Sequence, residues 1–123
     1  MKTQEIPSKD WPAFCHKCTD LNRGSLLSLE ILDAAGHKNV IARELPLRHL
    51  RFHKTAGCSD EVLLGLGESG GRQVDHVIIE PIRIILRVEA GPKTLEIEAE
   101  SGMNFISFHL GQFPEPTTKE TVA

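Results

Sequence analysis

The sequence predicts an α+β protein, with an N-terminal helix packed on a curled, mainly antiparallel sheet of about seven strands, barrel-like or sandwich-like. Three observations lead there. One stripe of apolar residues at helical spacing (Trp11, Phe14, Cys15, Cys18 and Leu21) occurs before Gly24. After Gly24, apolar and polar residues alternate in short runs, the period of half-buried strands. Turn-forming residues separate those runs at roughly ten-residue spacing, which indicates a meander.

Each element has its own signals. Ser8 is the expected N-cap of the helix, with Asp10 placed favourably for the helix dipole. Pro12 falls in the first turn, where a missing amide costs little. Gly24 closes the helix by taking a left-handed conformation. Leu27, Leu29 and Ile31 then mark a strand, and Asp33-Ala34-Ala35-Gly36 a turn. Residues 40–45 form a second strand that Pro46 is expected to interrupt. The apolar phase slips by one between Leu47 and Leu50, which calls for a bulge or sharp bend near Pro46.

Thr55-Ala56-Gly57 turns the chain into the alternation of Val62, Leu64 and Leu66, and Glu68-Ser69-Gly70-Gly71 is a hairpin turn before residues 73–79. Glu80-Pro81 breaks that run ahead of Ile82, Ile84, Leu86 and Val88. Turns at residues 90–93 and at Ser101-Gly102 bound the last two strands, residues 95–99 and 105–110. The helix cannot bury its stripe alone, so it must cover or plug the sheet. Residues 5–110 read as one globular domain, and residues 111–123, polar and proline-rich, as a flexible tail.

Composition narrows the function. A chain of 123 residues has room for one modest core. No apolar run approaches the roughly 18 to 20 residues of a membrane helix. The polar opening, MKTQEIPSKD, has none of the apolar run of a secretion signal, so a cytoplasmic protein is expected. Three cysteines, an odd number, fit a reducing compartment. The net charge of −3 argues against a general nucleic-acid binder, which carries a basic footprint. The absence of tyrosine argues against a base-stacking platform. Charge is nevertheless uneven. Residues 37–54 hold five cations against Glu44, and residues 89–100 hold four glutamates against Lys93.

Three motifs invite chemistry. Cys15-His16-Lys17-Cys18 has the spacing of a redox or zinc pair. A redox site needs the pair at the first turn of a helix after a buried strand, whereas Cys15 and Cys18 share the apolar stripe. His16 projects roughly 100° from Cys15 and is a poor third ligand, so core packing is the favoured reading and metal or redox chemistry the weaker one. Gly67-Glu68-Ser69-Gly70-Gly71 has the letters of a hydrolase nucleophile elbow, but a strand follows it where that motif requires a helix. Asp75 and His76, adjacent on that strand, point to opposite faces and form no relay.

The third motif is basic. On a strand, His49, Arg51 and His53 share one face, and with Arg48 and Lys54 they form a row suited to phosphate, carboxylate or an acidic protein. The alternative is a solvated face, paired across the sheet with the glutamates of residues 89–100.

The chain resembles a small bacterial family known only as a domain of unknown function. The resemblance rests on Ile6-Pro7-Ser8-Lys9-Asp10-Trp11-Pro12-Ala13-Phe14 and on Gly24 with the strand ending at Ile31. It continues through Ala42-Arg43-Glu44-Leu45-Pro46-Leu47, the stretch from His76 to Arg83, and Leu95-Glu96-Ile97-Glu98-Ala99-Glu100-Ser101-Gly102. It implies no activity. The family pattern has ordinary apolar residues at the positions of Cys15 and Cys18, which implies a packing role for the pair.

The resulting expectation is a non-enzymatic binding or interaction module, with a homodimer or another protein as partner and with no catalytic residue and no cofactor. The first alternative is an anion or RNA binder using Arg48, His49, Arg51 and His53. The second is a zinc or redox protein built on Cys15 and Cys18.

Overall fold

The structure, a computed structural model, describes residues 2–54, 59–68, 70–88 and 93–109. It shows one helix on a single antiparallel sheet of eight strands. In chain order these are β1 (Lys2–Ile6), a 3-10 turn (Ser8–Asp10), α1 (Trp11–Asn22), β2 (Leu26–Asp33) and β3 (Lys38–His53). They are followed by β4 (Glu61–Gly67), β5 (Gln73–Ile79), β6 (Pro81–Val88), β7 (Lys93–Ala99) and β8 (Gly102–Phe108). Their order across the sheet is β1-β6-β7-β8-β2-β3-β4-β5. Residues 111–123, read as a tail, lie outside the described residues, as do Cys58 and Ser69.

The sheet turns on β3, which is 16 residues long. Its first half pairs with β2 and its second half with β4, so one strand belongs to both arms. The arms curl toward each other, and His76 Nε2 on β5 reaches Asn104 Oδ1 on β8 at 2.9 Å, although three strands separate them in the sheet. β1 and β5 remain the two edges, so the curl does not close into a barrel. Alternate residues of the arms fill the interior. Leu27, Leu29, Leu64, Leu66, Leu95 and Ile97 are each at most 1% exposed. Complete burial of such a side chain stabilises the fold by about 1.5–3 kcal/mol.

Four features differ from the sequence reading. β1 is an additional strand, too polar apart from Ile6 to show strand alternation, and it is held by pairing with β6. Ser8 is not a helix cap. It opens a 3-10 turn, and no side chain caps either that turn or α1. Leu21 lies outside the buried stripe at 45% exposure. Thr19 and Asn22 are buried instead, so the covered face of α1 is displaced toward the side of Thr19, the side that meets Leu50 of β3. Pro46 does not interrupt β3, because the strand changes partner there and no continuous ladder is broken.

The predicted phase slip is a bulge. Leu47 faces Leu66 and His49 faces Gly65, leaving Arg48 as the extra residue. A second irregularity lies between Leu27 and Leu29, where Ser28 Oγ accepts from the Glu44 amide at 3.1 Å and Glu44 takes φ 50°.

α1 runs beside the second half of β3, on the flank that β2 has left. Phe14, Cys15 and Cys18 enter the core, and Trp11 packs edge-on against Phe52 with ring centroids 5.8 Å apart. The Trp11 Nε1–H group donates to the Ile6 carbonyl at 2.9 Å, which ties α1 to β1. At the other end the Gly24 amide donates to the Leu47 carbonyl. Between them, Thr19 Oγ1 stands 2.8 Å from both the amide nitrogen and the carbonyl oxygen of Leu50. Among the described residues, no helix is long and apolar enough to cross a membrane.

Candidate anion-binding groove

Where α1 lies along β3, the two elements leave a groove of about 380 Å³. Its helix wall is Pro12, His16, Thr19, Asp20 and Arg23, and its strand wall is Leu50, Arg51 and Phe52. A neighbouring pocket of about 360 Å³ shares Pro12 and Phe52 and adds Ser8, Lys9, Trp11, Lys54 and Asp60. Both lie near the lower end of the roughly 300–1,000 Å³ typical of ligand sites.

The walls are charged. His16, Asp20 and Arg23 fall on one helix face because their spacing is i, i+4, i+7. Asp20 is engaged by both neighbours, at 3.4 Å from His16 Nε2 and 3.9 Å from Arg23 Nη2. Arg51 is exposed and makes no ion pair among the described residues. The groove therefore carries one carboxylate already shared, one guanidinium with no ion pair among the described residues and a second guanidinium only loosely held. Lys9 and Lys54 continue the positive charge into the neighbouring pocket, against Asp60.

The four residues singled out in the sequence are placed differently from one another. Arg51 alone lines the groove. Arg48, displaced by the bulge, bonds Asp75 Oδ1 through Nη1 at 3.1 Å. His53 is exposed opposite Glu61. His49 lies over Gly65, and the absence of a side chain there is what admits its ring: a Cβ on Gly65 would stand 2.5 Å from the imidazole. Among the described residues, the glutamates of residues 93–100 form no ion pair with this row. Glu96 bonds Arg87 and Glu98 pairs with Arg83, because β7 lies beside β6 and far from β3 in the sheet. Arg23 and His16 carry a visible helical spacing, but the strand they face is not encoded locally.

His49 has a lowered pKa. Burial is the main cause, followed by the charges of Arg51 and Arg48, with Asp75 opposing and Arg23 adding to the effect. The unfolded chain therefore takes up this proton first as the pH falls. The stability contributed by His49 is complete above its unfolded pKa of about 6.5 and is lost as the pH falls from there through the depressed folded value. Gly65→Ala should push the ring into solvent and move the His49 pKa upward, as read by NMR titration of the imidazole. An unchanged pKa would show that packing on Gly65 is not what shields the ring.

Cys15 and Cys18 are 1% and 0% exposed. Burial pushes both thiols up to about 12, with Cys18 adding to the effect on Cys15 and the Asn22 side-chain amide, 3.6 Å from Cys18 Sγ, opposing it at Cys18. Such thiols stay protonated at neutral pH and are poor nucleophiles. His16 faces the groove and lies away from them. In a Cys58→Ala background, a thiol reagent at about pH 8 should find no reactive group in the native protein and both after denaturation. Rapid labelling of the native protein would contradict this packing.

The strands that flank the hydrolase-like letters, β4 and β5, pair with each other antiparallel, so a strand follows where that motif requires a helix. Asp75 and His76 are divided between the two faces of β5, the first with Arg48 and the second with Asn104. Comparison of the chain with protein-family models, curated proteins and solved structures gave no match, so the functional reading rests on this geometry.

Proposed function

We propose that this protein is a non-enzymatic interaction module that takes an anionic partner in the groove between α1 and β3. The observation that carries the reading is the exposed Arg51 guanidinium, without an ion pair among the described residues, across the groove from Arg23. Two guanidiniums on facing walls suit carboxylate or phosphate oxygens, which they bond through forked N–H donors. Nucleic acid is the weaker candidate. The net charge is −3, and a chain with no tyrosine and few aromatics is poorly equipped to build a base-stacking platform. A reducing, cytoplasmic setting suits the free thiols of Cys15 and Cys18.

Calorimetric titration with inorganic polyphosphate tests the reading. Binding should weaken as salt rises and fall at least about tenfold in an Arg23→Glu plus Arg51→Glu double variant, equivalent to about 1.4 kcal/mol. Both side chains are exposed, so the variant should keep its thermal stability. Absent binding, or binding indifferent to the two substitutions, would remove the groove from consideration.

A further inference from the structure

The groove also contains an open piece of strand edge, and its position follows from the pairing pattern. In an antiparallel ladder, successive residue pairs alternate between exchanging hydrogen bonds with the partner and directing their N–H and C=O groups away from it. β3 and β4 stay in register from His49↔Gly65 to His53↔Glu61. Leu50 gives both of its backbone groups to Thr19, so the Leu50↔Leu64 pair is one that points away from β4. Two residues on, Phe52↔Val62 has the same phase. The N–H and C=O of Phe52 therefore face the helix side, where Phe52 lines both pockets.

Along this flank, Leu47 is paired with the backbone of Gly24 and Ser25, and Leu50 is paired with the Thr19 hydroxyl. At Phe52 no hydrogen-bond partner occurs among the described residues. The helix that serves the flank elsewhere presents Pro12 and His16 there. A donor and an acceptor side by side on a strand edge match the backbone of one extended residue. Arg51 and Arg23 lie on one side of this position, and Lys9 and Lys54 on the other.

We infer that the groove recognises an extended acidic polypeptide segment, which adds to β3 by exchanging backbone hydrogen bonds with Phe52 while its carboxylates meet Arg23, Arg51, Lys9 and Lys54. This rests on the anionic groove proposed above and names its partner class. Phosphate polymers satisfy the cations but offer no amide donor to the Phe52 carbonyl. A polypeptide satisfies both.

The experiment compares a short acetylated peptide of alternating glutamate and valine with inorganic polyphosphate, following backbone amide hydrogen exchange by NMR. The peptide should slow exchange at the Phe52 amide at least about tenfold, and polyphosphate should leave it unchanged. The same peptide N-methylated at its central amides should bind at least about tenfold more weakly. Peptide binding that depends on Arg23 and Arg51 but leaves Phe52 exchange unaltered would overturn strand addition and leave the groove reading intact. Failure of both peptide and polyphosphate to bind would overturn both. A Phe52 amide already as protected as that of Leu50 in the free protein would also overturn the inference, since the edge would then be covered.

Discussion

Thr19→Val is expected to destabilise the protein by about 2–4 kcal/mol, although valine reproduces the shape of threonine almost atom for atom. The loss comes from backbone groups belonging to another residue. Leu50 is 1% exposed, and the Thr19 hydroxyl accepts from its amide at 2.8 Å and shares its one proton between the Leu50 carbonyl at 2.8 Å and the Cys15 carbonyl at 2.9 Å. Replacing that hydroxyl by a methyl leaves a buried donor and a buried acceptor unpaired, at about 1–3 kcal/mol each, with the higher sum eased by local relaxation. Thr19→Ser keeps the hydroxyl and loses only a methyl group, so it should cost about 1 kcal/mol. Urea denaturation of the two variants separates the cases, and amide exchange at Leu50 should accelerate only in the valine variant. A valine variant within about 0.5 kcal/mol of the parent would mean that Leu50 finds other partners. The same substitution should loosen α1 from β3, so anion binding in the groove should weaken along with stability.

Gly102→Ala is the second large effect, expected at about 3 kcal/mol or more and a fall in melting temperature of about 10 °C or more. Gly102 begins β8 with φ 143°, a conformation that L side chains rarely adopt. A Cβ there would also run into the carbonyl oxygen of Leu32 on β2. That neighbour is backbone in a paired strand, with Asp33 opposite Gly102, and it cannot rotate aside. Relief requires the start of β8 to draw away from β2, its partner in the middle of the sheet order, on the strand that carries the buried Asn104 and Ile106. Gly36→Ala is the control. Its φ is 94°, but nothing lies within 4 Å, so only the backbone conformational cost of about 1 kcal/mol applies. Equal melting temperatures for the two variants would show that the close approach at Leu32 does not matter.

Several local features were legible in the residues. The inward placement of Trp11, Phe14, Cys15 and Cys18 followed from helical spacing, and the burial of Leu27, Leu29, Leu64, Leu66, Leu95 and Ile97 from strand alternation. The slip of phase between Leu47 and Leu50 announced the bulge at Arg48. These patterns are readable because a side chain's face is set by its own position and the repeat of its element. β1 was missed because a short polar strand has no such pattern, and Pro46 was misread because its tolerance depends on which strand lies alongside.

The candidate site was only partly legible. Arg51 belonged to a visible basic row, but His49 left that row for a space that only Gly65, on another strand, provides. Arg48 was withdrawn by Asp75, which is 27 residues away. Arg23 entered only because α1 docks beside β3, a contact secured by Thr19 and Leu50 across 31 residues.

The sequence by itself determined the class of fold, the inward residues of α1, β2, β4 and β7, and the turns at residues 33–36 and 101–102, since periodicity and turn chemistry act between near neighbours. Only the tertiary structure decided strand order, the shared role of β3 and the makeup of the groove. Those depend on which distant surfaces exclude water from one another and on which backbone groups are left without a partner when they do.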